Sequence, residues 1–274
     1  MPHNCEEREL LGTRVRIFGD VDFEKAFKEC KRIEKAFSRF LEGNELWELN
    51  QNVGVFFEVS EEMMHLLKLA QQVKENTGGA FNVAVESVLR GLGYDKNYSF
   101  VESDSGKIGE IEFDGSRVKI TAPVDLGGLG KGYALKKMVE CLNGSFCVDA
   151  GGDIYAQGSG WKAAFEHPLN EGEVIGGVEV DGFYLASSSA SKRKWGKSHH
   201  LINTASGECA DDMLAVYIQG GDGTLVDAYS TALYVMGFER GVEMISTLPV
   251  EAMLISKEGA IFRSKGFKGE LFTA

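Results

Sequence analysis

Proline is scarce in this chain: 4 residues in 274, against 34 glycines. Positive charge is also in deficit, with 29 Lys and Arg against 41 Asp and Glu, a formal net charge of −12. A chain so acidic repels nucleic acid and anionic lipid, so neither is expected as a partner. Cysteine is sparse and irregular. Cys5, Cys30, Cys141, Cys147 and Cys209 are odd in number and contain no Cys-x-x-Cys, which argues against a disulfide framework and against zinc. No apolar run is long enough to span a bilayer, and the opening residues have no apolar core of the signal-peptide kind. The chain as given therefore reads as cytoplasmic, with free thiols.

What is present is an ordinary globular mixture, 43% hydrophobic and 26% charged, long enough for a substantial core. Helical spacing of Phe23, Phe27, Cys30, Ile33, Phe37 and Phe40 predicts an amphipathic helix over 21–41, capped by Asp20 or Asp22. Ser60 opens a second helix, with Glu61 and Glu62 in its first turn, ending near Thr77. Further helices are expected over 131–142, 226–238 and 239–247. Strands are expected over 13–18, 145–149, 161–166, 174–180, 182–187 and 213–219. Hairpins are expected to turn at Asp114-Gly115 and near Lys257-Glu258-Gly259. Helices mixed with hairpin-linked strands predict an α+β fold. With no linker in view, residues 1–274 are expected to form a single domain.

Asp125-Leu-Gly-Gly-Leu-Gly-Lys-Gly-Tyr133 is the strongest local signal. Its glycines let the backbone approach an anion, and the free N–H groups of a helix start, with Lys131, could balance phosphate charge. It is not a Walker A loop, since Asp125 replaces the first glycine and Gly132 the Ser or Thr after the lysine. Tyr133 likewise rules out the dinucleotide-fold fingerprint. Read locally, it fits a bare strand–helix turn equally well.

Asp227 and Thr231 stand four apart on an expected helix, so a carboxylate and a hydroxyl share one face. Such hard oxygens suit Mg²⁺, which takes its remaining ligands from water and phosphates. Taken alone, an aspartate answering its helix dipole and a threonine bonding back to a carbonyl explain the pair more simply. His199 and His200 precede a turn-rich segment. On a strand they point to opposite faces, so at most one faces a given site. Alone they read as surface histidines. His3, His65 and His167 have no comparable setting. Ala186–Ala190, followed by Lys192, Arg193 and Trp195, is a polar, partly cationic loop that would suit a phosphate or simply a solvated turn.

The order of these segments is more specific than any one of them. Leu11-Gly-Thr13, FSRFLEGNELWELN (Phe37–Asn50), GGAFNVAVESVLRGLGY (Gly78–Tyr94), VDLGGLGKGYA (Val124–Ala134), DAGGDIYAQG (Asp149–Gly158), HHLINTASG (His199–Gly207) and DAYSTALYVMG (Asp227–Gly237) together resemble the ApbE family of FAD:protein FMN transferases. The resemblance implies a T-shaped α+β fold with mostly antiparallel sheets and FAD in a cleft. It implies Mg²⁺ held by Asp227, Thr231 and a main-chain carbonyl at Gly130. It makes His200 the base and gives Lys131 a share in supporting phosphate charge or loop geometry. Ser38, Asn50, Phe81, Gly127, Gly128, Lys131, Gly152 and Ser188 are the residues it assigns to FAD, Asn50 matching an asparagine that affects whether FAD is hydrolysed or its FMN transferred. The implied partner is an acceptor redox protein carrying a Ser/Thr-Gly-Ala-Thr/Ser-like stretch. FAD pyrophosphatase activity and non-catalytic FAD binding are the alternatives. The chain departs from the family pattern at Asn82, Asn203, Thr204, Lys136 and Ser187–Ser189, and these departures spare the implied metal ligands and base. Family members are often exported.

Overall fold

In the computed structural model, which describes residues 4–95, 98–103, 106–170 and 172–272, the chain winds around one eight-stranded antiparallel sheet. Its strands are β1 (Cys5–Leu10), β2 (Thr13–Gly19), β3 (Phe146–Ala150), β4 (Asp153–Gln157), β5 (Phe183–Ser188), β6 (Met213–Gly220), β7 (Glu251–Ser256) and β8 (Ile261–Arg263). They lie side by side in chain order. The sheet is thus a meander, interrupted by long excursions that carry the helices.

Side-chain alternation divides the core between the two faces of this sheet. Tyr184, Ala186, Val216, Ile218, Ala252 and Leu254 face the helical core. Their neighbours Phe183, Leu185, Ala215, Tyr217, Met253 and Ile255 face a second core. Because β6 is covered on both faces, its sequence reads as one apolar run rather than as an alternation. The second core is closed by an antiparallel pair, Lys162–Glu166 with Val174–Glu179, to which Glu270–Leu271 adds a third strand.

The helical side holds α1 (Phe23–Phe37), α2 (Glu45–Gln51), α3 (Glu61–Asn76), α4 (Glu86–Gly91), α5 (Gly130–Val139), α6 (Gly223–Met236) and α7 (Phe238–Ile245). The expected α+β class is the one observed. Of the two caps expected for α1, Asp22 serves, accepting from the N–H of Lys25 at 3.1 Å. The helix ends at Phe37 rather than Leu41, because Ser38 is extended while its N–H still bonds to Glu34. Ser60 caps α3 as expected. Helix α6 begins at Gly223, a turn before the expected start, with Asp222 as its cap. Several elements went unread in the sequence, β4 and the six-residue α4 among them. The strand β1 is charged and lies at the sheet edge, and α2 lasts only seven residues.

Gly151 and Gly152, both with positive φ, form the two-residue turn between β3 and β4, pairing Ala150 with Asp153. This turn, the start of α5 and the first half of α6 converge at one end of the sheet.

Candidate active site

The convergence opens into a cleft of about 1210 Å³, above the ~300–1,000 Å³ usual for small-molecule sites and roomy enough for a dinucleotide-sized ligand. Of the residues expected to form a site, Phe81, Gly127, Gly128, Lys131, Gly152, Ser188, His200, Asp227 and Thr231 all line it. These come from segments more than 140 positions apart in the chain.

Ser38, Asn50 and Gly130 are placed differently, outside the cleft lining. Ser38 ends α1, and its carbonyl accepts from the Asn44 side chain at 2.7 Å. The Asn50 amide is engaged twice with the main chain of Val124. Its Nδ2 donates to the carbonyl at 2.9 Å, and its Oδ1 accepts from the N–H at 2.7 Å. It therefore pins the strand-like entry to the glycine loop. Gly130 is the first residue of α5.

The glycine loop differs from expectation in one respect. Three of its glycine amides are spent within the protein. Gly127 donates to Oδ1 of Asp125 at 2.5 Å, Gly130 to the carbonyl of Leu126 at 2.7 Å, and Gly132 to Oδ2 of Asp227 at 2.9 Å. Close approach is instead what demands glycine. A Cβ on Gly132 would stand 2.1 Å from the carbonyl oxygen of Gly223 and 2.6 Å from Cβ of Asp227. Helices α5 and α6 touch there through bare backbone, and that contact brings Asp227 to the start of α5.

Asp227 sits in the second turn of α6, and the capping role belongs to Asp222. The simpler reading of Asp227 as a helix-start residue therefore fails. Its Oδ1 lies 3.2 Å from Nζ of Lys131, which also contacts Oδ2 of Asp153 at 2.5 Å. Burial alone would lower the lysine's pKa, but the carboxylates of Asp153 and then Asp227 overcome it and the pKa is raised. Lys131 is thus a fixed cation and not a base. Thr231 follows one turn after Asp227, beside Gly128 and Phe81: a Cβ on Gly128 would meet Phe81 at 3.1 Å and the Thr231 hydroxyl at 3.5 Å. It is Ser230 whose hydroxyl bonds back to the carbonyl of Asp227, at 2.8 Å, while also meeting Ser188 at 2.8 Å.

The two histidines separate as the strand geometry requires. His199 is buried, its Nε2 against the carbonyl of Ala210 at 2.9 Å. His200 lines the cleft. Burial, then the Arg193 guanidinium, lower its pKa to about 3, so the ring is neutral at physiological pH. Its Nδ1 is buried with no hydrogen-bond partner among the described residues. Arg193 lines the same wall, and the side chain of Lys192 lies outside the described residues.

The departures at Asn82, Asn203 and Lys136 all have local partners. Asn82 donates to the carbonyl of Gly109 at 3.0 Å and accepts from the N–H of Ala84 at 2.9 Å. Oδ1 of Asn203 accepts from the N–H of Ala205 at 2.9 Å, a turn an aspartate would make equally well. Lys136 pairs with Asp222 at 2.6 Å, tying α5 to the cap of α6.

Three contributors were not singled out from sequence. Arg39, 5% exposed, meets Asp125 at 2.6 Å and Glu86 at 3.6 Å, and donates to the Tyr94 carbonyl at 2.7 Å. Asp153 is buried behind Lys131. His167 also lines the cleft, its Nδ1 accepting from the amides of Leu169 and Asn170 at 3.1 Å each. A buried-side partner for the acidic head of the glycine loop was the available clue to Arg39.

The donor set in the cleft fits a hard divalent cation. Asp227 and Thr231 present a carboxylate and a hydroxyl to a space large enough for a phosphate-bearing ligand. Among the described residues no group of three or more His, Cys, Asp or Glu side chains is placed to hold a metal. A Mg²⁺ site completed by substrate and water requires none.

The family model described as the ApbE family matches residues 11–254. The chain is 25% identical to the FAD:protein FMN transferase of Treponema pallidum, over 94% of this chain and 85% of that one. It is 22% identical to the FAD:protein FMN transferase of Vibrio cholerae, over 87% and 81%. The crystal structure of the ApbE protein of Thermotoga maritima superposes with a TM-score of 0.88 at 27% identity, covering 97% of this chain and 98% of that one. The flavin transferase ApbE of Vibrio cholerae shares the fold, with a TM-score of 0.82 at 19% identity over 97% and 99%. Family match, fold and the gathering of the diagnostic segments around one cleft agree, and the chain belongs to the ApbE family.

Proposed function

We propose that this protein is a Mg²⁺-dependent FAD:protein FMN transferase, which moves the FMN half of FAD onto a Ser or Thr hydroxyl of an acceptor protein and releases AMP. The observation that carries the reading is the meeting of Lys131, Asp227, Thr231 and His200 in one cleft, in a chain whose relatives bear that name.

The acceptor oxygen attacks the phosphorus on the FMN side. The new P–O bond forms as the bond to the AMP phosphate breaks. FAD is an anion entering an acidic protein, so the cleft must supply positive charge locally. Arg193 is placed to do so, and Lys131 moderates the charge of Asp153 and Asp227. When bound at Asp227 and Thr231, Mg²⁺ supplies neutralisation of charge on the pyrophosphate. His200, which lines the cleft and is held neutral by burial, would take the acceptor hydroxyl's proton. The rest of the catalysis is alignment within the cleft. Phe81, beside Gly128 and Thr231, gives an aromatic face near the reacting end.

Incubation with FAD, Mg²⁺ and an acceptor domain bearing a Ser/Thr-Gly-Ala-Thr/Ser-like stretch tests the proposal. An acceptor mass gain equal to FMN, with stoichiometric AMP, is the expected result. AMP with free FMN and no mass gain means hydrolysis instead, and bound FAD with no AMP means a binder.

A further inference from the structure

Two buried carboxylates share one cation beside the cleft. Asp153 and Asp227 have side chains only 3% and 5% exposed, and Nζ of Lys131 lies 2.5 Å from the first and 3.2 Å from the second. The two acids differ in where they face. Asp227 lines the cleft, as does Lys131, whereas Asp153 does not. Asp153 is the first residue of β4, directly after the Gly151-Gly152 turn and in register with Ala150. Asp227 is held on its other oxygen by the amide of Gly132.

We propose that Lys131 is a built-in cation competing with a divalent metal for Asp227, and that Asp153 is the positioning residue that takes Lys131 over when metal binds. The inference rests on the reading of Asp227 and Thr231 as metal ligands. A metal ion and an ammonium compete for Oδ1 of Asp227, because like charges brought against one carboxylate oxygen repel. Nζ already lies closer to Asp153, so yielding Oδ1 requires only that the shared contact become a single one. Without Asp153 the lysine has nowhere buried to go. It then holds Asp227 outright and the metal must displace it. Asp153 touches neither substrate nor metal in this account and acts through Lys131.

Binding of Mn²⁺ alone, read by the loss of the free-ion EPR signal, tests this in the full-length protein without FAD. Wild type is compared with Asp227→Asn, Lys131→Met, Asp153→Asn and the charge-balanced double variant Lys131→Met/Asp153→Asn. Circular dichroism confirms folding, and the double variant guards against failure caused by an unpaired buried charge. The expected pattern has four parts. Asp227→Asn abolishes binding. Lys131→Met tightens it about tenfold, and Asp153→Asn weakens it about tenfold. In the Lys131→Met background, Asp153→Asn then changes it by less than about twofold, the non-additivity of residues acting as a unit.

Three results overturn the proposal. If Lys131→Met leaves affinity unchanged or weakens it, the lysine is no competitor. If Asp153→Asn weakens binding equally in both backgrounds, Asp153 acts through its charge alone. In both cases the metal reading stands. If Asp227→Asn binds Mn²⁺ like wild type, the metal reading fails and the proposal with it.

Discussion

Oδ2 of Asp227 accepts a hydrogen bond from the main-chain N–H of Gly132 at 2.9 Å. One bond thereby joins the second turn of α6 to the first turn of α5, fixing the carboxylate relative to the glycine loop. The bond depends on the two helices meeting without side chains. A pair of glycine substitutions follows from this. Gly132→Ala places a methyl 2.1 Å from the Gly223 carbonyl oxygen and is expected to destabilise the fold by about 1–3 kcal/mol. Gly130→Ala, two residues earlier, meets nothing within 4 Å and keeps its carbonyl. It is expected to be neutral or to stabilise by up to ~1 kcal/mol, with activity retained. Urea denaturation of both variants checks the contrast. Equal losses would contradict the packing argument.

Asn50→Ala removes two bonds to the main chain of buried Val124. The expected cost is about 1–3 kcal/mol, because both main-chain groups are left unpaired. Asn50→Asp sets a carboxylate oxygen against the Val124 carbonyl and should fare no better. The readout is melting temperature beside kcat and KM for FAD. An unchanged melting temperature with altered product would instead place Asn50 in contact with the substrate.

Arg39 balances Asp125 and Glu86 at the base of the glycine loop, and burial raises the pKa of Glu86 despite it. Arg39→Met strands Asp125 and leaves Glu86 only its contact with Arg90 at 3.7 Å, and is expected to cost about 3–5 kcal/mol. Arg39→Lys keeps the charge but cannot span Asp125, Glu86 and the Tyr94 carbonyl together, so it should recover only part of the loss. Full recovery by lysine in equilibrium unfolding would refute this three-way role.

The lowered pKa of His200 has a definite sign in the pH dependence. Folded, the group titrates near pH 3, and unfolded near ~6.5. Between these values the unfolded chain binds a proton that the folded chain refuses. Stability therefore falls as pH drops below ~6.5, until the folded group also titrates near 3. His200→Gln is expected to flatten that fall between pH 6.5 and 4. The wild-type kcat/KM should show no His200 titration with a midpoint near 6.5. A midpoint there, lost in His200→Gln, would mean that the ring is solvated in the working enzyme.

Much of this was legible in the sequence, and what was not has physical causes. Periodicity located α1, α3 and most strands, because a buried stripe must repeat with the element. It overran α1, because Phe40 continues the stripe after the backbone has turned extended at Ser38. The edge strand β1 buries too little to leave a pattern. In the cleft, the residues proposed to act by their own chemistry carried a signal: Lys131, Asp227, Thr231 and His200. Residues that act by holding others, such as Arg39, Asp153 and the doubly bonded Asn50, depend on partners distant in the chain. No local spacing announces them.

The most direct test of the account compares wild type with Asp227→Asn, given FAD, Mg²⁺ and the same acceptor domain, by following acceptor mass. Wild type should add the mass of FMN with one AMP released per label, and Asp227→Asn, folded, should add none. Labelling by Asp227→Asn at the wild-type rate would contradict the assignment of this cleft as the transfer site.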